Sequence, residues 1–241
     1  MADGLYVGMA AAAARSDQLD SIADNLANAE TPGYKAARPA FQSFLPKGPA
    51  GALVDKVFSA AVATGTDLSP GTMVTTDNPL DIVPDGETFM AVNTQTGQRA
   101  FTRNGQLVVN PDGILVASGR PILGETGNVI SVPPGSRLVI NPDGQVTADG
   151  NFVDRLALFQ MQGNVVRVGP QLYAPGPGGT VAPVAPADTR VSTGQLEMGN
   201  VSALESTVAL INAQRQFESA TQAIQTYKRL DDRAMEVGRV R

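Results

Sequence analysis

The stretch NLANAETPGYK, residues 25–35, separates a proline-free N-terminal arm from a turn-rich middle of the chain. Within it, Thr31, Pro32 and Gly33 predict the end of a helix, because proline disfavours helical backbone in the residue before it and glycine permits a turn. All seventeen prolines of the 241-residue chain lie between Pro32 and Pro186. The two proline-free ends therefore predict long helices on either side of a central β-domain.

An apolar stripe recurs along the N-terminal arm at the spacing of an amphipathic helix, at Leu5, Ala12, Leu19, Ile22 and Leu26. The opposite side of this arm carries acidic residues. A helix over residues 3–28 would be about 40 Å long at about 1.5 Å per residue.

The C-terminal segment carries the more regular pattern. Its apolar residues step by three and four, as in a coiled-coil seam, at Leu210, Ala213, Phe217, Ala220, Ile224 and Tyr227. A second stripe lies beside the seam at Leu204, Val208 and Ile211. Residues 201–237 therefore predict one helix of roughly 55 Å. Its rhythm and length favour pairing of the two terminal helices as an α-helical coiled coil, with contacts between subunits, over packing of each helix on its own β-domain.

Between residues 68 and 174, short apolar runs alternate with Gly, Pro, Asn and Asp, which is typical of a mainly antiparallel β-domain. The predicted strands cover residues 80–83, 89–92, 99–103, 107–110, 114–117, 137–140 and 156–161. The turn sequence Asn-Pro-Asp-Gly occurs at residues 110–113 and again at 141–144. Because proline presets one turn position and glycine supplies the positive φ, both copies predict hairpins.

These patterns predict an α+β fold. The domains are expected at residues 1–31 and 196–241 (terminal helices), 32–67 (connector) and 68–195 (β-rich outer domain), with a flexible return segment at 175–194. The connector is locally basic through Lys35, Arg38, Lys47 and Lys56. We interpret these four charges as ordinary solvated surface in preference to a complement for the acidic arm of a neighbouring subunit.

The composition argues against most enzyme classes. The chain has no cysteine and no histidine, which removes thiolate zinc sites and the usual catalytic triads. Its net charge is −5, and five acids against one base place −4 on residues 1–31, so nucleic acid is not an expected partner. No run approaches the roughly 18 apolar residues of a membrane span, and no cleaved export signal is recognisable.

Two sets of acidic residues are candidates for a metal site or a carbohydrate site. Asp112 and Asp143 lack the alternating acids of a calcium loop, which favours a turn role. Asp77 and Asp81 leave open a secreted carbohydrate-active or carbohydrate-binding protein, although no tryptophan platform accompanies them. We expect no catalytic residue, no cofactor and no metal site.

Four stretches of the chain resemble bacterial flagellar basal-body rod and hook proteins. Residues 25–35 resemble the N-terminal signature of that family, and residues 194–201 resemble its C-terminal motif, with Gly199 where serine is more usual. Residues 78–82 and 100–105 are similar as well. The motif positions are Asn25, Leu26, Ala27, Asn28, Thr31, Pro32, Gly33, Tyr34, Lys35, Leu196, Glu197, Asn200 and Val201.

The resemblance implies a non-enzymatic structural subunit that transmits torque. It would leave the cell through the flagellar type III export apparatus without a cleaved signal and polymerise in the periplasm with itself and other rod proteins. The terminal helices would line the channel, and the β-domain would form the outer wall. Chain length and residues 119–125 favour a proximal over a distal rod subunit. The expected assembly interface comprises Leu5, Leu19, Ile22, Leu26, Leu204, Val208, Leu210, Ile211, Phe217, Ile224 and Tyr227.

Overall fold

The structure is a computed structural model that describes residues 2–44, 58–94 and 96–239, with side chains described for 8–38, 65–94, 96–230 and 232–233. The chain divides into two compact units. The helical unit comprises Met1–Ala27, Ala37–Thr64 and Ser202–Arg241, and the β unit comprises Asn28–Ala36 and Gly65–Val201.

Two long helices make up most of the helical unit. Helix α1 spans Ala2–Ala27 and α2 spans Ala203–Arg239, so both predicted helices are confirmed to within two residues at each end. The helices pack against each other. A Cβ atom added at Gly8 would lie 2.9 Å from Cγ1 of Ile224, and Ala14 and Ala213 are buried. Small residues therefore allow the two helix backbones to approach closely.

The helical unit also contains a two-stranded sheet of β1 (Ala37–Phe44) and β2 (Phe58–Thr66). These strands lie in residues 36–67, for which the sequence predicted no regular structure. Strand β1 contacts α1, and the side chain of Asn25 fixes that contact. The Asn25 Nδ2 donates to the Ala37 carbonyl at 2.9 Å, and the Ala37 N–H donates to Asn25 Oδ1 at 2.8 Å.

The described residues of the β unit form sixteen short strands. They are β3 (Met73–Thr75), β4 (Ile82–Pro84), β5 (Thr88–Asn93), β6 (Arg99–Thr102), β7 (Leu107–Val109), β8 (Leu115–Ala117), β9 (Arg120–Pro121), β10 (Leu138–Ile140), β11 (Gln145–Ala148), β12 (Asn151–Arg155), β13 (Leu158–Gln162), β14 (Val165–Gly169), β15 (Leu172–Pro175), β16 (Thr180–Pro183), β17 (Val191–Thr193) and β18 (Gln195–Glu197). Every predicted strand is confirmed in whole or in part. Residues 175–194, predicted as a flexible return, contain β16 and β17.

The described strands of the β unit pair antiparallel in five sheets. The largest has the order β14-β15-β6-β5-β13-β16. Three-stranded sheets β7-β8-β9 and β10-β11-β12 and the pairs β3-β18 and β4-β17 complete the unit. With two helices and mainly antiparallel strands, the predicted α+β class is confirmed.

The repeated turn sequence closes two hairpins, as predicted. The Gly113 N–H donates to the Asn110 carbonyl at 2.9 Å in the β7-β8 hairpin, and Gly144 and Asn141 make the same bond, also 2.9 Å, in the β10-β11 hairpin. Asp112 and Asp143 therefore lie in turns.

Two clusters of buried side chains form the core of the β unit. The larger one is aliphatic and includes Ile82, Leu107, Leu115, Ile122, Ile130 and Leu156. The smaller one contains three aromatic residues, Phe89, Phe101 and Tyr173, together with Met161. Each large side chain buried in these clusters stabilises the fold by about 1.5 to 3 kcal/mol. Among the described residues, no helix has the length and apolar character needed to cross a bilayer.

Candidate assembly surfaces

The N-terminal and C-terminal sequence motifs meet within the β unit. The Gly33 N–H donates to the Glu197 carbonyl at 2.7 Å, and the Asn200 N–H donates to the Tyr34 carbonyl at 3.3 Å. The Asn200 side chain adds a bond from the Ala36 N–H at 2.7 Å. We call residues 28–36 together with 196–200 the motif clasp. Its bonds join two parts of the chain that are more than 160 residues apart.

A buried ion network lies at the centre of the motif clasp. Glu197 Oε1 accepts hydrogen bonds from Lys35 Nζ and from the Gly71 N–H, both at 2.8 Å, and Oε2 accepts from Arg103 Nε. The three charged side chains are at most 3% exposed. The two cations also donate to carbonyl groups: Lys35 Nζ to Ser69 O at 2.7 Å, and Arg103 Nη1 to Thr88 O at 2.6 Å. The burial is therefore matched by hydrogen bonds on all three side chains.

Burial and pairing act in opposite directions on the two titrating groups. Burial raises the pKa of the Glu197 carboxyl, but the Arg103 guanidinium and the bonds from Lys35 and Gly71 outweigh it and hold that pKa below its ordinary value. For Lys35, burial lowers the pKa more than Glu197 raises it, so its pKa lies below 10.5. The charged carboxylate is thus the form that the folded clasp prefers.

Two tyrosines fix the N-terminal half of the motif clasp. The Tyr173 hydroxyl accepts from the Lys35 N–H at 2.7 Å and donates to the Gly33 carbonyl at 3.3 Å. Burial raises the pKa of Tyr173 well above its ordinary value, so this hydroxyl stays protonated. The Tyr34 hydroxyl accepts from Arg167 NH1 at 2.9 Å, and the Arg167 guanidinium lies over the Tyr34 ring. Both tyrosine side chains are therefore bound at their polar ends as well as packed.

Two glycines of the motif clasp lie against backbone. Gly33 has φ of 70°, and an added Cβ would lie 2.3 Å from the carbonyl carbon of Arg103 and from the Asn104 nitrogen. At Gly199 an added Cβ would lie 2.6 Å from the Ala29 carbonyl oxygen. A serine at position 199 would therefore require the Ala29 peptide to move, which explains why this chain carries glycine there.

The other motif residues support the same junction. Asn28 and Thr31 form the turn that follows α1, with the Thr31 N–H donating to the Asn28 carbonyl at 3.0 Å. Leu196 is buried, whereas Pro32 and Val201 are partly buried. Asn25, Leu26 and Ala27 lie in α1, where Ala27 is exposed.

The interpretation of the basic connector was wrong for one residue. Lys35 is not solvated surface, because it is 2% exposed and paired with Glu197. Arg38 is exposed, and Lys47 and Lys56 lie outside the described residues.

Sequence reasoning also missed three partners of the motif clasp. Arg103 stands in the stretch 100–105 that resembled family sequence, which was a usable signal. Gly71 and Tyr173 had no signal in the sequence, because nothing local relates them to Lys35 or Glu197.

The apolar residues of α2 occupy two faces. The second stripe was predicted beside the seam, and that placement was wrong. At about 100° per residue, Leu204, Val208 and Ile211 lie roughly opposite the seam formed by Leu210, Ala213, Phe217, Ala220 and Ile224. The seam residues are buried or partly buried, and α1 packs against α2. The opposite stripe is 48% to 77% exposed, and Tyr227 and Leu230 are also about half exposed. We call Leu204, Val208 and Ile211 the open stripe.

The predicted interface residues on α1 are divided. Leu19, Ile22 and Leu26 are partly buried. Leu5 lies within α1, but its side chain is outside the described part of the structure. The predicted set therefore contains both a face between the two helices and a face that the described chain leaves open.

The acidic pair of the alternative hypothesis has structural roles. Asp81 is 4% exposed and accepts from Thr76 Oγ1 at 2.7 Å and from Asn78 Nδ2 at 3.0 Å. Asp77 has φ of 57° in the turn before it. These contacts favour the turn interpretation over glycoside chemistry.

Three family descriptions match the chain. "Flagella basal body rod protein" matches residues 5–35, "Flagellar hook protein FlgE/F/G D1 domain" matches 84–148, and "Flagellar basal body rod FlgEFG protein C-terminal" matches 192–237. The flagellar basal-body rod protein FlgF of Escherichia coli is 34% identical over 253 residues, which cover 97% of this chain and 96% of that protein. The chain belongs to the flagellar basal-body rod protein family.

Two further relatives in this rod family also match over nearly the whole length of both chains. FlgF of Salmonella typhimurium is 32% identical over 97% of each chain. The flagellar basal-body rod protein FlgG of Bacillus subtilis is 28% identical over 94% of this chain and 95% of its own. The first family match contains α1 with the N-terminal half of the motif clasp, and the last contains its C-terminal half with most of α2. The two terminal stretches that resemble the rod family, residues 25–35 and 194–201, thus supply the residues that form the motif clasp.

We expect the stability of the β unit to fall in acid in a way that depends on Glu197. Because the folded pKa of this carboxyl is lowered, its stabilising contribution is present above the ordinary value of 4.5 and is lost as the pH falls through the folded pKa. Urea unfolding from pH 7 to pH 3 should show the gap between wild type and Glu197→Gln narrowing below about pH 4.5. A gap that stays constant across this range would contradict the assigned charge state.

Proposed function

We propose that this chain is a structural subunit of the proximal part of the bacterial flagellar rod and that it polymerises through its terminal helices. Family membership supports the rod assignment. The proposed assembly mechanism rests on the open stripe of α2. Its three large aliphatic side chains lie at helical spacing and are exposed on the face opposite the α1 contact.

The packing of α1 and α2 supports separate roles for the two faces of α2, one within the subunit and one between subunits. One face of α2 is already buried within the subunit, so its contact with α1 can form in a single copy. The open stripe then supplies the contact to a neighbouring subunit, where helices would continue the knobs-into-holes packing of a coiled coil. Each of its side chains would contribute about 1.5 to 3 kcal/mol when covered.

The comparison with relatives supports the proximal position, because FlgF is the proximal and FlgG the distal rod protein of this family. The two FlgF proteins are 32% and 34% identical to this chain, against 28% for the FlgG protein. In this proposal the subunit leaves the cell through the flagellar type III export apparatus without a cleaved signal and assembles in the periplasm with other copies and other rod proteins. The β unit, which the motif clasp closes, forms the outer wall.

Replacing Ile211 by aspartate should abolish incorporation into the rod and swimming, because a carboxylate cannot be buried in an apolar helix contact. Gln216→Asp is the matched control, since Gln216 is exposed on another side of α2 and gains the same charge. The measurement is soft-agar motility with mass spectrometry of purified basal bodies. Normal swimming and a normal amount of the Ile211→Asp protein in basal bodies would overturn the proposal.

A further inference from the structure

An exposed apolar patch lies on the β10-β11-β12 sheet. Val139 pairs with Thr147, and Thr147 pairs with Phe152 on the next strand, so the three side chains share one face. The opposite face carries the buried residues Leu138, Ile140 and Val146. Phe152 is 63% exposed and Val139 is 38% exposed. We call Phe152 and Val139 the sheet patch.

A cleft of about 450 Å³ lies elsewhere on the same unit and shares no residue with the sheet patch. Its walls are mainly apolar, with lining residues that include Leu68, Pro70, Met73 and Pro84, and its charged lining residues are Asp85, Glu87 and Arg103. Met73 is 46% exposed, and Asp85 and Glu87 are exposed as well. A phenyl ring would fit this volume and cover Met73.

Strand β3 beside this cleft has an open edge. The Met198 N–H donates to the Thr72 carbonyl, and the Thr76 N–H donates to the Gly194 carbonyl. Because hydrogen bonding alternates along an antiparallel strand, the N–H and C=O groups of Met73 and Thr75 point away from β18. In the described part of the chain β3 pairs only with β18, so these groups make no bond to a second strand. Residues 68–76 contain no charged residue except Asp67's neighbours' polar groups that would hinder the approach of another chain to this edge.

We propose that the sheet patch of one copy of this chain docks in the cleft of a second copy, with Phe152 inserted between Met73 and Pro84. One pair of opposite charges would meet in this contact, because Arg137, two residues before Val139, is exposed, and Asp85 and Glu87 are exposed at the cleft. Two carboxylates also lie near the patch: Asp149 accepts from the Arg137 N–H and Asp154 from the Arg155 N–H, while the Arg155 side chain pairs with Glu125.

This contact joins two different surfaces, so it repeats from copy to copy instead of closing into a two-fold dimer. It rests on the proposed function and deepens it, since it names the outer-wall contact between subunits. The contact made by the helices and the contact made by Phe152 are independent and can be tested separately.

Crosslinking tests the proposal directly, because the natural chain has no cysteine. Thr75→Cys and Asn151→Cys are introduced together in the full chain, which leaves Met73 and Phe152 in place, and isolated basal bodies are treated with a short bis-maleimide; both positions are exposed. Dimers and larger species joined through residues 75 and 151 are expected, with a yield about tenfold above that of the control pair Thr75→Cys with Val108→Cys. Val108 is 55% exposed on another sheet. A yield equal to the control, or crosslinks only between like positions, would overturn the contact.

Charge reversal provides a second measurement that does not alter Phe152. Glu87→Arg and Arg137→Glu should each lower the crosslinking yield about tenfold, and the double variant should restore it. Failure of the double variant to recover would count against the pairing. Detection of the chain in basal bodies without the 75–151 crosslink would leave the rod assignment intact and remove this contact, whereas absence of the chain from basal bodies would remove the rod assignment.

Discussion

Replacing Glu197 by glutamine is expected to lower the free energy of unfolding of the β unit by about 3 to 5 kcal/mol, because it leaves two buried cations without their shared anion. Lys35 and Arg103 are 2% and 3% exposed, so neither can reach water without moving the motif clasp. The amide of glutamine can accept one hydrogen bond from one of them but carries no charge to compensate either. Urea unfolding followed by tyrosine fluorescence would measure the loss, since the chain has no tryptophan and Tyr34 and Tyr173 are buried beside the network.

Glu87→Gln is the matched control, because Glu87 is an exposed glutamate of the same unit and should change stability by less than about 0.5 kcal/mol. Lys35→Met should cost less than Glu197→Gln, since Arg103 would still pair with the carboxylate. Equal losses in Glu197→Gln and Glu87→Gln would show that the network does not hold the clasp.

Local patterns in the sequence were enough to predict much of the fold. The ends of α1 follow from an apolar stripe and from the Thr-Pro-Gly stop, both of which depend on neighbours within a few residues. The two Asn-Pro-Asp-Gly hairpins follow from turn chemistry in the same way. The open stripe on α2 was also predicted as a set, since helical spacing alone places its residues on one face.

The motif clasp could not be predicted as a structure, because its contacts are long-range. Lys35 and Glu197 are 162 positions apart, and each is an isolated charge that resembles ordinary surface when only its neighbours are considered. Strand β3 is exposed at every residue and has no alternating pattern, so only its pairing with β18 defines it. Strands β16 and β17 lie among glycines and prolines, and they form because β13 and β4 offer partners.

Replacing Gly33 by alanine is expected to be as damaging as removing Glu197, with a loss of about 3 to 5 kcal/mol. Two effects would destabilise the alanine variant, its backbone conformation and a steric clash. A φ of 70° is unfavourable for a residue with a side chain by about 1 to 2 kcal/mol. Its Cβ would also lie 2.3 Å from backbone atoms of Arg103 and Asn104, which no rotamer change can relieve.

Gly119→Ala separates these two costs, because Gly119 has a similar φ of 74° and an added Cβ there meets nothing within 4 Å. It should lose only the conformational term of about 1 to 2 kcal/mol. The difference between the two variants therefore measures the close approach of the N-terminal motif to the 103–104 backbone. Because Gly33 also donates to the Glu197 carbonyl, moving it should displace the C-terminal motif as well. Equal losses in the two variants would mean that the close approach of Gly33 to the 103–104 backbone adds nothing to the cost.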